Sequence, residues 1–204
     1  MKNNNTESVL NDRPTREQLE RLAATIRYRH KFSVAFRTTV SALITVAAVA
    51  VLVAVLLLPV LQIYGSSMSP TLAEGDIVVS VKGGGFKPGD LICFYYNNKI
   101  LVKRVIALAG DWVDIADDGT VYVNNVKIDE PYVYEKALGD CNIDLPYQVP
   151  ESRVFVMGDH RSVSVDSRNS AVGCVAEEQV VGRIVFRVWP LNAFGWIGGP
   201  KEEE

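Results

Sequence analysis

Two histidines and three cysteines are all that this 204-residue chain offers of the side chains that most often serve as bases, metal ligands or redox groups. The cysteines are Cys93, Cys141 and Cys174. They are odd in number and irregular in spacing, so they form neither a metal-ligand signature nor a disulfide framework. Cys141 and Cys174 could pair in an oxidising space, but they are read as ordinary small side chains. Internal repeats are missing too. From Ser66 onward there is no basic cluster, and the whole chain carries a formal charge of −3. Nucleic acid is therefore not expected as a partner. The run Gly83 to Gly85 lacks the spacing and following helix of a phosphate-binding loop and is read as a turn, as is the Pro88-Gly89 pair.

A longer absence organises the chain. No charged residue occurs between Arg37 and Glu74. Inside that gap Val40 to Val60 reads VSALITVAAVAVLVAVLLLPV. A helix needs roughly 20 mostly apolar residues to cross a bilayer, and this run suffices. A cleaved signal peptide fits less well, because the apolar core is too long and begins too far from Met1. Arg21, Arg27, Arg29, Lys31 and Arg37 flank the span on its N-terminal side, and Glu74 and Asp76 are the nearest charges on the other. The positive-inside rule places the N-terminus in the cytoplasm and everything from Ser66 outside. Residues 1–12 are polar and read as disordered. The stretch TREQLERLAATIRYRH reads as a short helix, capped by Thr15 with Gln18 as its partner.

Beyond the span the texture changes. Short β-branched and aromatic runs (DIVVSV, DLICFYY, ILVKRVIAL, WVDI, TVYV, VKI, RVFVMG, VVGRIVFRVW) alternate with Gly, Pro, Asn and Asp. This pattern predicts a mainly β, antiparallel domain. Asn124-Asn125 marks a hairpin turn.

Three stretches carry candidate chemistry. YGSSMSPTLAEGD follows the span and offers Ser66 or Ser67 as a nucleophile, which needs a base nearby. His30 precedes the span and cannot reach them. His160, beside Asp159 in MGDHRS, allows a Ser-His-Asp arrangement by inventory. Lys103 is the other base. Alternation sets Lys103 with Leu101 and Val105, and Arg104 with Val102 and Ile106. Both faces are apolar, so periodicity does not choose between them. Only lysine can lose its proton in a protein, and burial among apolar groups favours that loss. No acidic residue lies between Asp90 and Asp111 to pair with it. In GDHRSVSVDSRNS, Ser164, Asp166 and Arg168 would share one side of an extended chain. Asp166 and Arg168 could pair, and the bland reading is a surface ion pair of little worth.

In this order after one membrane span, the three stretches resemble the bacterial type I signal peptidases. The matching boxes are Ser67-Met68-Ser69-Pro70-Thr71-Leu72; Lys103-Arg104-Val105 with Gly110-Asp111; and Gly158-Asp159-His160-Arg161 with Ser164-Val165-Asp166-Ser167-Arg168. The resemblance covers residues 40–190. It implies a signal-peptidase-type antiparallel β domain and a serine endopeptidase that cuts signal peptides from secreted precursors after small residues. It implies Ser67 as nucleophile, Lys103 as general base, Ser164 orienting the lysine, and Asp166 and Arg168 as a supporting pair. Met68 would line the substrate pocket, and the Ser67 N–H would hold the oxyanion. Gly65 stands where some members place a second hydroxyl donor. His160, Ser162 and Val163 depart from the family's Asn and Asp-Asn. The implied partners are signal-peptide-bearing precursors, membrane lipid and the export machinery, with no cofactor and no metal. The implied organisation is a cytoplasmic tail (1–37), a membrane helix (38–62) and an extracytoplasmic peptidase domain (63–204), with a hairpin-rich insertion over about 112–157. A non-catalytic, membrane-anchored β domain acting as a binding module is the alternative.

Overall fold

The computed structural model describes residues 15–83 and 85–197; the expected disorder of residues 1–12 lies outside them. Thr15 opens the first element as a capping box. Its N–H donates to Gln18 Oε1 at 2.9 Å, and the Gln18 N–H donates to Thr15 Oγ1 at 3.4 Å. Helix α1 then runs unbroken over Arg16–Leu57. The short helix and the membrane helix of the sequence reading are thus one rod. At about 1.5 Å per residue its 42 residues span roughly 63 Å, about twice the ~30 Å of a bilayer's hydrocarbon core. It ends before the expected residue 62. Pro59 lacks an N–H and disfavours helical geometry at Leu58, and Val60–Gln62 form a strand instead. The chain divides into two compact units, one ending at Ala54 and one beginning at Val55.

Among its described residues the second unit is mainly β, with two short 3-10 helices and longer loops over residues 128–146 and 158–174. Its strands are β1 (Val60–Gln62), β2 (Ile77–Val81), β3 (Leu91–Tyr96), β4 (Lys99–Ala107), β5 (Trp112–Ile115), β6 (Val121–Val123), β7 (Val126–Lys127), β8 (Tyr147–Gln148), β9 (Arg153–Met157), β10 (Val175–Ala176), β11 (Val180–Trp189) and β12 (Gly195–Trp196). The large sheet has the order β1-β2-β11-β3-β4-β9-β10, with β12 also on β11. A second sheet has the order β7-β6-β5-β8. Each strand pair is antiparallel. Asn124 and Asn125 take φ of 51° and 65° in the β6–β7 turn, a conformation Asn tolerates better than most residues. The second sheet spans Trp112 to Gln148, so the insertion closes before β9, which returns to the large sheet.

β9 shows how the cores are built. Val154 and Val156 pack with Ile92, Phe94 and Val105. Phe155 and Met157 point the other way, against Val113, Ile115 and Val121 of the second sheet. A strand buried on both faces reads as a continuous apolar run, which is why alternation alone could not orient β4. A third cluster joins Ile63, Met68, Leu72, Val78, Leu91 and Ile184. It anchors the loop that carries the candidate serines.

Candidate active site

The loop after β1 is closed by backbone bonds. Ile63 N–H donates to Asp76 O at 2.8 Å, Gly75 N–H returns to Ile63 O at 2.9 Å, and Leu72 N–H reaches Met68 O at 2.9 Å. Met68 and Leu72 are 2% and 0% exposed, so two apolar plugs fix the loop. Gly65 sits at φ 82°, where a side chain would be strained. The geometry separates the two serines. Ser66 is exposed, while Ser67 is half-buried and its Oγ lies 2.7 Å from Lys103 Nζ.

Lys103 comes from the middle of β4 and is 3% exposed. Among the described residues it has no ion-pair partner. Desolvation is the largest influence on its amine, and it brings the pKa down to about 8 from the ordinary 10.5. The charges of Asp166 and Asp159 oppose that shift, and Arg168 assists it. Both acids are already engaged by arginine. Arg104 forks onto Asp159, Nε to Oδ1 at 2.8 Å and Nη2 to Oδ2 at 2.6 Å. Thr71 Oγ1–H donates to the same carboxylate at 2.5 Å. Arg168 forks onto Asp166 at 2.8 and 2.9 Å. It also donates to the carbonyls of Leu138 at 2.7 Å and Arg161 at 2.9 Å. Neighbouring β4 residues thus have different fates: Arg104 is neutralised by a partner, and Lys103 is left dry beside a hydroxyl.

The Asp166–Arg168 pair is no surface bridge, since both side chains are 0% exposed. Ser164 lies beside the site but does not make the bond to the lysine that the resemblance implies. Among the described residues its buried Oγ has no hydrogen-bond partner, tucked where Gly158 has no side chain. A Cβ on Gly158 would fall 2.3 Å from Ser164 Oγ and 2.5 Å from Ser67 O. His160 reaches Ser67 only through its backbone, its N–H donating to Ser67 O at 3.1 Å. Its ring Nδ1 has no partner among the described residues, and Asp159 is held by Arg104 and Thr71. The Ser-His-Asp arrangement is therefore not assembled.

A cavity of about 90 Å³ opens at Ser67 and Lys103, lined further by Leu61, Ile63, Met68, Ile100 and Val102. That is well below the ~300 Å³ where drug-sized pockets begin, so it suits a small side chain. Two strand edges flank it. Among the described residues β1 pairs only with β2, and β4 pairs with β9 only from Arg104 onward. Lys99 to Lys103 therefore have one unpaired side among the described residues. The cysteines are free thiols, and the described residues contain no cluster of three or more His, Cys, Asp or Glu able to hold a metal.

Spacing did not reveal several residues of this site. Thr71, Arg104 and Asp159 sat inside the quoted boxes, but their mutual bonds span 33 to 88 positions. Glu130 and Tyr132, in the loop between β7 and β8 of the second sheet, gave no signal at all. Glu130 pairs with Arg161, both side chains being at most 1% exposed. The Tyr132 ring lies 3.8 Å from the Arg104 guanidinium carbon.

The family model for signal peptidases, peptidase S26, matches residues 36–189. Signal peptidase IB of Staphylococcus aureus strain MRSA252 is 39% identical over 159 residues, covering 68% of this chain and 82% of that protein. Signal peptidase I of Bacillus licheniformis is 37% identical over 169 residues, covering 75% and 88%. A crystal structure of a signal peptidase I from Enterococcus faecalis aligns with a TM-score of 0.40 at 30% identity, over 49% of this chain and 97% of that one. With three quarters of its length matched by the family model and most of two relatives' length covered, the chain belongs to the signal peptidase family, peptidase S26.

Proposed function

We propose that this signal peptidase works as a Ser-Lys serine endopeptidase: Ser67 attacks, Lys103 is the general base, and an acyl-enzyme is the intermediate. The observation that carries this reading is the 2.7 Å contact between Lys103 Nζ and Ser67 Oγ at a lysine with a depressed pKa. A neutral amine there accepts the Ser67 proton. The hydroxyl oxygen then adds to the peptide carbonyl, with the Ser67 N–H facing the oxyanion. Lys103 passes its proton to the leaving amine as the C–N bond breaks. Water next attacks the ester, giving one proton to Lys103, which returns it to Ser67 Oγ as the ester C–O bond breaks; the product acid leaves and loses its remaining proton to solvent.

The substrate would enter as an extended segment between the free edges of β1 and β4, where backbone groups await pairing. The small cavity then selects small side chains near the cut. The proposal includes a single-pass anchor in α1, whose apolar stretch has the length and hydropathy of a membrane span. In this reading the N-terminus lies in the cytoplasm and the β unit outside, which the arginine-rich flank supports. Precursors arriving from the export machinery are the substrates. The β11–β12 region exposes Trp189, Leu191, Phe194 and Trp196, an apolar patch of the kind that meets lipid. The test is cleavage of a purified signal-peptide-bearing precursor in detergent. Ser67→Ala and Lys103→Ala should both abolish cleavage, and His160→Ala should cut. An active Lys103→Ala would refute the dyad.

A further inference from the structure

We infer that Glu130 is a positioning residue for the nucleophile, holding the Gly158–Ser164 turn against the Ser67 backbone through Arg161. The inference rests on the reading of Ser67 as the nucleophile.

Glu130 lies between β7 and β8, outside every strand. Its carboxylate accepts both terminal nitrogens of Arg161, Nη1 at 3.3 Å and Nη2 more closely. It also accepts the Tyr132 hydroxyl at 3.2 Å. Arg161 in turn grips its own turn with its side chain and is tied to Arg168 through its carbonyl. Its Nε donates to Gly158 O at 3.2 Å, and its carbonyl accepts Arg168 Nη2 at 2.9 Å. The turn is closed by Ser164 N–H donating to His160 O at 3.1 Å. It presents the His160 N–H to Ser67 O at 3.1 Å. Gly158 approaches the same carbonyl so closely that a Cβ would sit 2.5 Å from it. A small displacement of the turn therefore moves the Ser67 peptide, and with it the hydroxyl and the N–H that face substrate.

Stability alone does not account for this pair. Exchanging a buried ion pair for apolar side chains of similar volume is often neutral or stabilising. Geometry is more demanding, because a misplacement of about 1 Å at a reacting centre can cost on the order of 100-fold in rate.

The experiment compares full-length wild type with the double replacement Glu130→Leu/Arg161→Met and with the isosteric Glu130→Gln, which keeps one acceptor for Arg161. Steady-state cleavage of a precursor and amide hydrogen exchange at His160 are both read. In the double variant we expect kcat to fall about 10- to 100-fold with KM within about twofold and the pH midpoint unmoved. Its His160 amide should exchange faster, and Glu130→Gln should be intermediate in both readouts. A folded variant of either kind with wild-type kcat and unchanged His160 exchange overturns the inference, as does a loss confined to KM. If wild type itself cuts no precursor, the enzymatic reading has failed instead, and the exchange at His160 still decides whether Glu130 holds the turn.

Discussion

Replacing Lys103 by methionine should make the protein more stable at neutral pH and less stable at high pH. Burial lowers the lysine pKa from 10.5 to about 8. At about 1.4 kcal/mol per unit, the folded state at pH 7 carries a desolvated ammonium costing roughly 3 kcal/mol. The sign follows from proton counting. Between pH 8 and 10.5 the unfolded chain binds more protons at this site than the folded one, so wild-type stability rises with pH across that window. Below pH 8 the penalty is fully present, and above 10.5 it is gone. Methionine removes the charge at similar volume but also removes the bond to Ser67 Oγ, worth about 1 kcal/mol. The variant should therefore gain about 2 kcal/mol at pH 7 and lose about 1 kcal/mol at pH 10.5. For a chain of this size the gain at pH 7 is a rise of about 4–8 °C in Tm. Unfolding can be followed by tryptophan fluorescence in detergent, because Trp112, Trp189 and Trp196 all lie in the β unit. Taking the difference between the two proteins cancels the other titrating groups. A difference that stays constant from pH 7 to 10.5 would refute the reasoning.

Other consequences follow from particular contacts. Gly158→Ala drives a Cβ into Ser164 Oγ and Ser67 O; we expect about 1–3 kcal/mol of destabilisation by denaturant melts and a kcat loss of at least about tenfold. Asp166→Asn leaves Arg168 charged and buried, which should cost about 3–5 kcal/mol in the same assay, whereas Glu17→Gln, in an exposed pair with Arg21, should change stability by under about 1 kcal/mol. Thr71→Val removes a donor to Asp159 and should cost about 1.5–3 kcal/mol. A cysteine placed at Glu20 should be shielded from an impermeant thiol reagent added outside intact cells, and one placed at Asp117 should be labelled; the reverse pattern would invert the proposed topology.

Periodicity made the strands legible because turn residues punctuate them, and the Asn124-Asn125 hairpin lies where its chemistry put it. The ends of α1 were less legible. Capping marked the start at Thr15, but the apolar run continued through Val60 while Pro59 had already stopped the helix. The lysine lay beyond the reach of pattern, because β4 and β9 are buried on both faces. What distinguishes Lys103 from Arg104 is that Asp159 engages only the arginine, a contact across 55 positions. For the same reason the Glu130–Arg161 pair, 31 positions apart and on loops, left no trace in local spacing. Resemblance to a family named the dyad where physical reasoning on the sequence had left Ser66, Ser67, His160 and Lys103 open.

The most direct test of the central claim is the pH dependence of single-turnover precursor cleavage by wild type and by His160→Gln. With Lys103 as the base, the rate should rise with pH through a midpoint near 8 in both proteins, following the amine as it loses its proton. A midpoint near 6.5, the ordinary imidazole value, that vanishes in His160→Gln would contradict the account and move the base to the histidine.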